Sequence, residues 1–214
     1  MRRSCPQGPL GFFAARKARD SYHHGNLKET LLDTAEALIA ERGPANISLS
    51  EMARMAGVSS AAIYRHYADL NALIGAVAGR GFTEFALRLE AAVSVAGGGP
   101  RALDGMGRAY LAFARERPGA YAAMFSSTVA FSSPELAAAG ERAFAGLTAG
   151  VNEIGAALGL DPAACHRLAL KIWSLSHGIA TLAGSGRLSP ATGAHPEQLL
   201  KEGVDALIMA AQRR

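Results

Sequence analysis

Cysteine is nearly missing from this chain. The two present, Cys5 and Cys165, form neither a disulfide framework nor a zinc spacing, which makes a reducing compartment the expectation. Six scattered histidines build no metal constellation. His23 and His24 are adjacent, yet no carboxylate or third histidine lies near them at ligand spacing. No apolar run approaches the roughly 18 residues of a membrane span. Arg2 and Arg3 are not followed by the apolar segment of an export signal. A nucleophile elbow, an H-E-x-x-H helix, a P-loop and a dinucleotide fingerprint are also missing. These absences predict a soluble, cytoplasmic protein that is not an enzyme and has no membrane partner, no metal and no other cofactor.

Strand-like alternation is missing too. Half of the 214 residues are apolar and only 19% are charged, so a sizeable core is expected instead of disorder. Every long segment repeats its apolar residues at helical period. The expected fold class is all-α, with about nine helices. The net charge of +4 is unevenly placed. Arg2, Arg3, Arg16, Lys17 and Arg19 stand against Asp20, so residues 1–20 hold the whole excess and read as a basic arm.

The first helical pattern begins after Asn26, which has capping-box spacing to Glu29. Leu27, Leu31, Ala35, Leu38 and Ile39 form its stripe, and Gly43-Pro44 stops it. A long helix starts at Asp69, with Leu73, Val77, Phe82, Phe85, Leu89 and Val93 on its apolar side. It runs to the glycines at 97–99, which follow a helix and not a strand and so read as a flexible turn between helices. Further helices are expected over Ala102–Arg117, Gly119–Phe125, Pro134–Leu158, Pro162–Ala183 and Pro196–Gln212. Prolines at 134, 162 and 196 suit first helical turns.

Between the first and the long helix lies Ser48–Tyr67, SLSEMARMAGVSSAAIYRHY. Ser48 and Glu51 have capping-box spacing, Gly57 suits the left-handed turn that ends a helix, and Ser59 caps the next one. Ala53, Gly57 and Ile63 occupy the crossing, turn and core positions of a helix-turn-helix.

The stretch from Ser21 through D-L-N-A-L resembles the DNA-binding domain of the TetR/AcrR family of bacterial transcriptional repressors. The matching residues are S-L-S-E-M-A-R-M-A-G-V-S followed by A-I-Y-R-H-Y. Trp173 with His177-Gly178 resembles, more briefly, a subgroup with a W…HG motif in the C-terminal domain. The resemblance implies a homodimer with a DNA-binding domain at 21–70 and a helical ligand-binding and dimerisation domain at 71–214. Its partners would be a double-stranded DNA operator and a small-molecule effector. The family commonly has a phosphate-binding lysine where this chain has Leu70.

On a helical wheel referred to Ile63, the residues Ser60, Ala61, Tyr64 and Arg65 point outward. Ser60 suits a base or a phosphate, Ala61 and Ala62 suit thymine methyl groups, and Arg65 suits guanine or phosphate. The resemblance assigns Tyr64 a backbone phosphate. It also makes His66 a DNA-contact position, while the wheel leaves His66 open between contact and packing. Ser48 and Ser59 stand at helix starts, where amides suit phosphate.

A pocket for a hydrophobic or aromatic molecule is expected from Phe82, Phe85, Met106, Tyr110, Phe113, Tyr121, Met124, Phe125, Trp173 and His177. Each of these also reads as plain core. On Pro162–Ala183, Leu168, Ile172, Leu175, Ile179 and Leu182 form an aliphatic stripe, and Ala169, Ser176, Ala180 and Gly184 a strip of small residues. With the Pro196–Gln212 helix these suit a four-helix dimer interface, burial within one protomer being the competing reading.

Overall fold

The computed structural model describes residues 27–127, 134–188, 191, 193 and 195–213. The basic arm, the Asn26 cap and the His23-His24 pair lie outside the described residues. Among these residues there are nine α-helices and no strand. In chain order they are α1 (Leu27–Arg42), α2 (Leu49–Met55), α3 (Ser60–Tyr64), α4 (Leu70–Ala96), α5 (Gly99–Glu116), α6 (Pro118–Met124), α7 (Pro134–Ala157), α8 (Pro162–Gly184) and α9 (Pro196–Gln212). A short 3-10 turn, Pro44–Asn46, links α1 to α2.

Local chemistry sets most of the boundaries. Asp69 accepts from the Ala72 amide at 2.8 Å and starts α4. Asp161 accepts from Ala164 at 2.7 Å and starts α8, with Pro162 in the first turn. At the glycines of 97–99 the Gly99 amide donates to Glu153 of α7 at 3.1 Å.

The 27-residue α4 is the spine. It packs on α1, α5, α6 and α7. Its buried residues, Leu73, Ile74, Val77, Ala78, Gly81, Phe85 and Leu89, recur at helical spacing, as amphipathic packing requires. One continuous apolar core therefore runs from Leu31 and Leu38 of α1 to Leu200 of α9. Phe82 and Val93, expected on the same face, are only partly buried against it.

Candidate DNA-reading surface and ligand pocket

The Ser48–Tyr67 stretch folds as a helix-turn-helix. Ser48 Oγ accepts from the Glu51 amide at 3.3 Å. The reciprocal half of the expected capping box is not made, because the Glu51 carboxylate takes Arg42 at 2.7 Å and ties α2 to the end of α1. Gly57 turns the chain at a φ of 68°, a conformation that disfavours side chains with a Cβ. Ser59 then accepts from the Ala62 amide at 3.3 Å and opens α3. Ala53 and Ile63 are buried between the two helices' inner faces.

α3 is shorter than the expected 60–67 span and ends at Tyr64. Its outer surface presents Ser60, Ala61, Tyr64, Arg65 and His66, all exposed, with Ser48 and Ser59 exposed beside it. His66, just beyond the last residue of α3, is exposed. Ala62 corrects the expectation: it is only 6% exposed, next to Ile63 in the buried arc. Its methyl group belongs to the core of the motif and is not available to a thymine.

Tertiary packing sorts the remaining cations of this region. Arg42 is occupied by Glu51 and Glu41. Arg54 on α2 is exposed and forms no ion pair among the described residues, as is also true of Arg65. Sequence reasoning misses Arg54, although the buried set Leu49, Met52 and Ala53 leaves it on the outer side. Leu70, in the first turn of α4, packs partly against the core.

A cavity of about 440 Å³ lies between α4, α5, α7, α8 and α9. Phe82, Phe85, Met106, Tyr110, Met124, Phe125 and Trp173 all line it. Phe113, Tyr121 and His177 do not. Phe113 is fully buried, 5.2 Å from the Phe85 ring and beneath the Arg88 guanidinium, so it is core. Phe144 of α7 is a lining residue that sequence reasoning misses; its ring lies 5.9 Å from Trp173. Its aromatic character alone is the available signal.

Tyr121 and His177 stand behind Tyr110 and support it. The Tyr121 hydroxyl lies 2.8 Å from His177 Nδ1, and the Tyr110 hydroxyl 3.2 Å from the same nitrogen. Burial lowers the pKa of His177 and favours its neutral ring, whose Nδ1 accepts from Tyr121 in the tautomer protonated at Nε2. Burial also raises the pKa of Tyr110 and Tyr121, so both hydroxyls stay protonated, and the two lie 3.3 Å from each other.

Charged side chains join α1 to the helices that surround the cavity. Arg80 of α4 reaches Asp33 and Glu36 of α1, each at 2.7 Å. Glu36 also accepts from Arg117 at 2.8 and 2.9 Å, and Arg117 continues to Glu84 of α4. Arg117 hydrogen bonds are the main reason the Glu36 pKa lies below its ordinary value.

The outer face of α8 differs from the expected one. Ala169, Ser176 and Ala180 are buried inside the protomer, with Leu168, Ile172 and Ile179. These three small residues therefore pack within one chain, while Gly184, the fourth of the strip, is exposed. Leu182 of the expected stripe is exposed, in line with Leu170, Ser174 and Gly178, spaced four apart; on α9, Leu199, Ala206 and Met209 are exposed.

Among the described residues, no helix is long and apolar enough to cross a membrane. No curated protein matches the sequence. A structure of a protein of unknown function from Rhodococcus sp. RHA1 is 31% identical with a TM-score of 0.74, covering 89% of this chain and 98% of its own. A tetR-family transcriptional regulator from Streptomyces coelicolor is 22% identical with a TM-score of 0.65, covering 87% and 82%. The TetR-family regulator PfmR from Thermus thermophilus is 20% identical with a TM-score of 0.64, covering 84% and 97%. These last two share the fold. The family described as bacterial regulatory proteins, tetR family, matches residues 31–77, across the helix-turn-helix. A tetracyclin repressor-like C-terminal domain matches residues 103–207. The chain belongs to the TetR family of transcriptional regulators.

Proposed function

We propose that the protein is a homodimeric repressor that binds a palindromic operator and leaves it when a small hydrophobic or aromatic molecule occupies the cavity. One observation carries this reading: α4 begins directly after the helix-turn-helix and lines the cavity with Phe82 and Phe85. Residues 21–70 act as the DNA-binding part and 71–214 as the sensing and dimerising part. Ser60, Ala61 and Arg65 face the base edges, Tyr64 grips phosphate, and His66 and Arg54 lie at the margin of the same surface. Two copies held by the exposed faces of α8 and α9 read half-sites about one helical turn, ~34 Å, apart.

Release requires the effector to bind one arrangement of α4 more tightly than the other. The Glu36–Arg117–Glu84 chain supports such coupling, since it holds α1 against α4 and the α5–α6 junction. A footprinting experiment on the DNA flanking its gene tests the reading. A protected, two-fold symmetric site is expected. Binding that ignores DNA sequence would overturn it.

A further inference from the structure

The mouth of the cavity is unbalanced in charge. Its lining includes Asp104 and Arg108 of α5, Glu141 of α7, and Glu197, Lys201 and Asp205 of α9. Both cations are already engaged: Arg108 with Asp104, and Lys201 with Asp205 at 2.6 Å. Glu141 forms no ion pair among the described residues. Glu197 has only Arg115, at 3.9 Å, the outer limit of a pair. A ligand entering the mouth thus meets two carboxylates with little or no compensation and no cation to spare.

Inside, the walls carry Phe82, Tyr110, Phe125, Phe144 and Trp173. Aromatic faces are electron-rich and attract a cation, most strongly once water is excluded. Rings and carboxylates therefore select the same sign. An anionic amphiphile would lose hydration against rings that repel it and would find no free partner at the mouth.

We propose that the effector is a lipophilic organic cation, its apolar body in the cavity and its positive centre held by the aromatic faces, with Glu141 and Glu197 at the mouth. This rests on the ligand-binding reading above and specifies its charge class.

The test uses three probes of similar shape: tetraphenylphosphonium, neutral triphenylphosphine oxide and tetraphenylborate. The full chain is titrated with each. Trp173 is the only tryptophan in the sequence and lines the cavity, so its fluorescence reports occupancy at this site. The phosphonium is expected to bind at least about tenfold more tightly than the borate. Glu141→Gln combined with Glu197→Gln is expected to weaken the phosphonium about fivefold and leave the neutral probe unchanged. These glutamates are exposed, so the double variant should keep the fold. If the neutral or anionic probe binds as tightly as the cation, the charge class is wrong while the ligand site stands. If none of the three perturbs Trp173, the ligand site falls too.

Discussion

A Cβ placed on Gly119 would overlap the backbone carbonyl oxygen of Glu36 and lie 2.9 Å from its carbonyl carbon. At this point α6 touches α1 backbone to backbone, and no side chain fits between them. Gly119→Ala must part the two helices or distort one, since the obstructing atom is main chain. A cost of about 3 kcal/mol, at the upper end for overpacking, is expected. That corresponds to a Tm roughly 6–12 °C lower for a chain of this size. An unchanged melt would mean that α1 and α6 are not held this closely.

Glu36 joins the same two helices through its side chain. It is only 13% exposed and shared by Arg80 and Arg117. Glu36→Gln keeps the shape but leaves two partly buried guanidiniums short of a counter-charge, costing roughly 2 kcal/mol at neutral pH. The sign of the pH dependence follows from the lowered pKa of this carboxylate. Its contribution is complete above the ordinary value of 4.5 and is lost as pH falls through the lower folded value. The stability gap between wild type and variant should thus be flat from about pH 6 to 8 and close below about pH 4. A gap that widens in acid would contradict the assigned pairing.

On the recognition surface, Ala62 and Arg65 should separate stability from binding. Ala62→Val overpacks a buried position and should cost about 1–3 kcal/mol in stability. Once folded, it should leave the preferred operator sequence unchanged. Arg65→Ala should leave the melt unchanged and weaken operator binding about tenfold, as a base or phosphate contact predicts. Thermal melts and gel shifts on the same preparations decide this. A change of operator preference in the Ala62 variant would restore that residue to the DNA surface.

The helices are legible from sequence because capping and period act over a few residues. Asp69, Asp161 and Ser59 read as caps without any tertiary knowledge. Ala62 is not among the residues the wheel turns outward; the chemistry of its methyl group alone suggests a thymine contact, and burial decides otherwise. Glu51 has the spacing of a reciprocal cap, but Arg42 outcompetes the amide, and that arginine is brought near only by the turn at Gly43–Asn46. In the cavity, aromatic residues on successive helices announce themselves by type. Whether Phe113 faces the void or the core depends on the rotation of α5 against α4, which no local pattern encodes. Ala169, Ser176 and Ala180 on α8 mislead for the same reason, their face being taken by the protomer's own helices.

Leu70 sits in the first turn of α4, half-buried, where the family commonly carries a lysine. Leu70→Lys trades a little packing for a phosphate contact in each subunit. Operator affinity should rise at low salt, and the slope of log K against log salt should steepen by about 2 per dimer. An unchanged slope would show that position 70 does not reach the backbone of the DNA.

His177 couples the cavity wall to pH. In the neutral tautomer protonated at Nε2, its Nδ1 accepts from Tyr121 at 2.8 Å, the shorter of its two hydroxyl contacts. Burial depresses its pKa, so the neutral form favours the fold. That contribution is complete above the ordinary value of 6.5 and is lost as pH falls from there through the lower folded value. Protonation would reverse the bond to Tyr121 and place a charge on a ring packed against Tyr121 and Phe125, which disturbs the neighbouring Tyr110 side chain that lines the cavity. Wild type should therefore lose Tm and probe affinity between about pH 7 and pH 5. His177→Asn offers an amide oxygen to Tyr121 at every pH and should show a flatter profile for both. Tyr110→Phe removes one hydroxyl but leaves the histidine, so its profile should keep the wild-type slope. If the asparagine variant follows the wild-type pH profile, the acid sensitivity arises elsewhere and His177 is only packing.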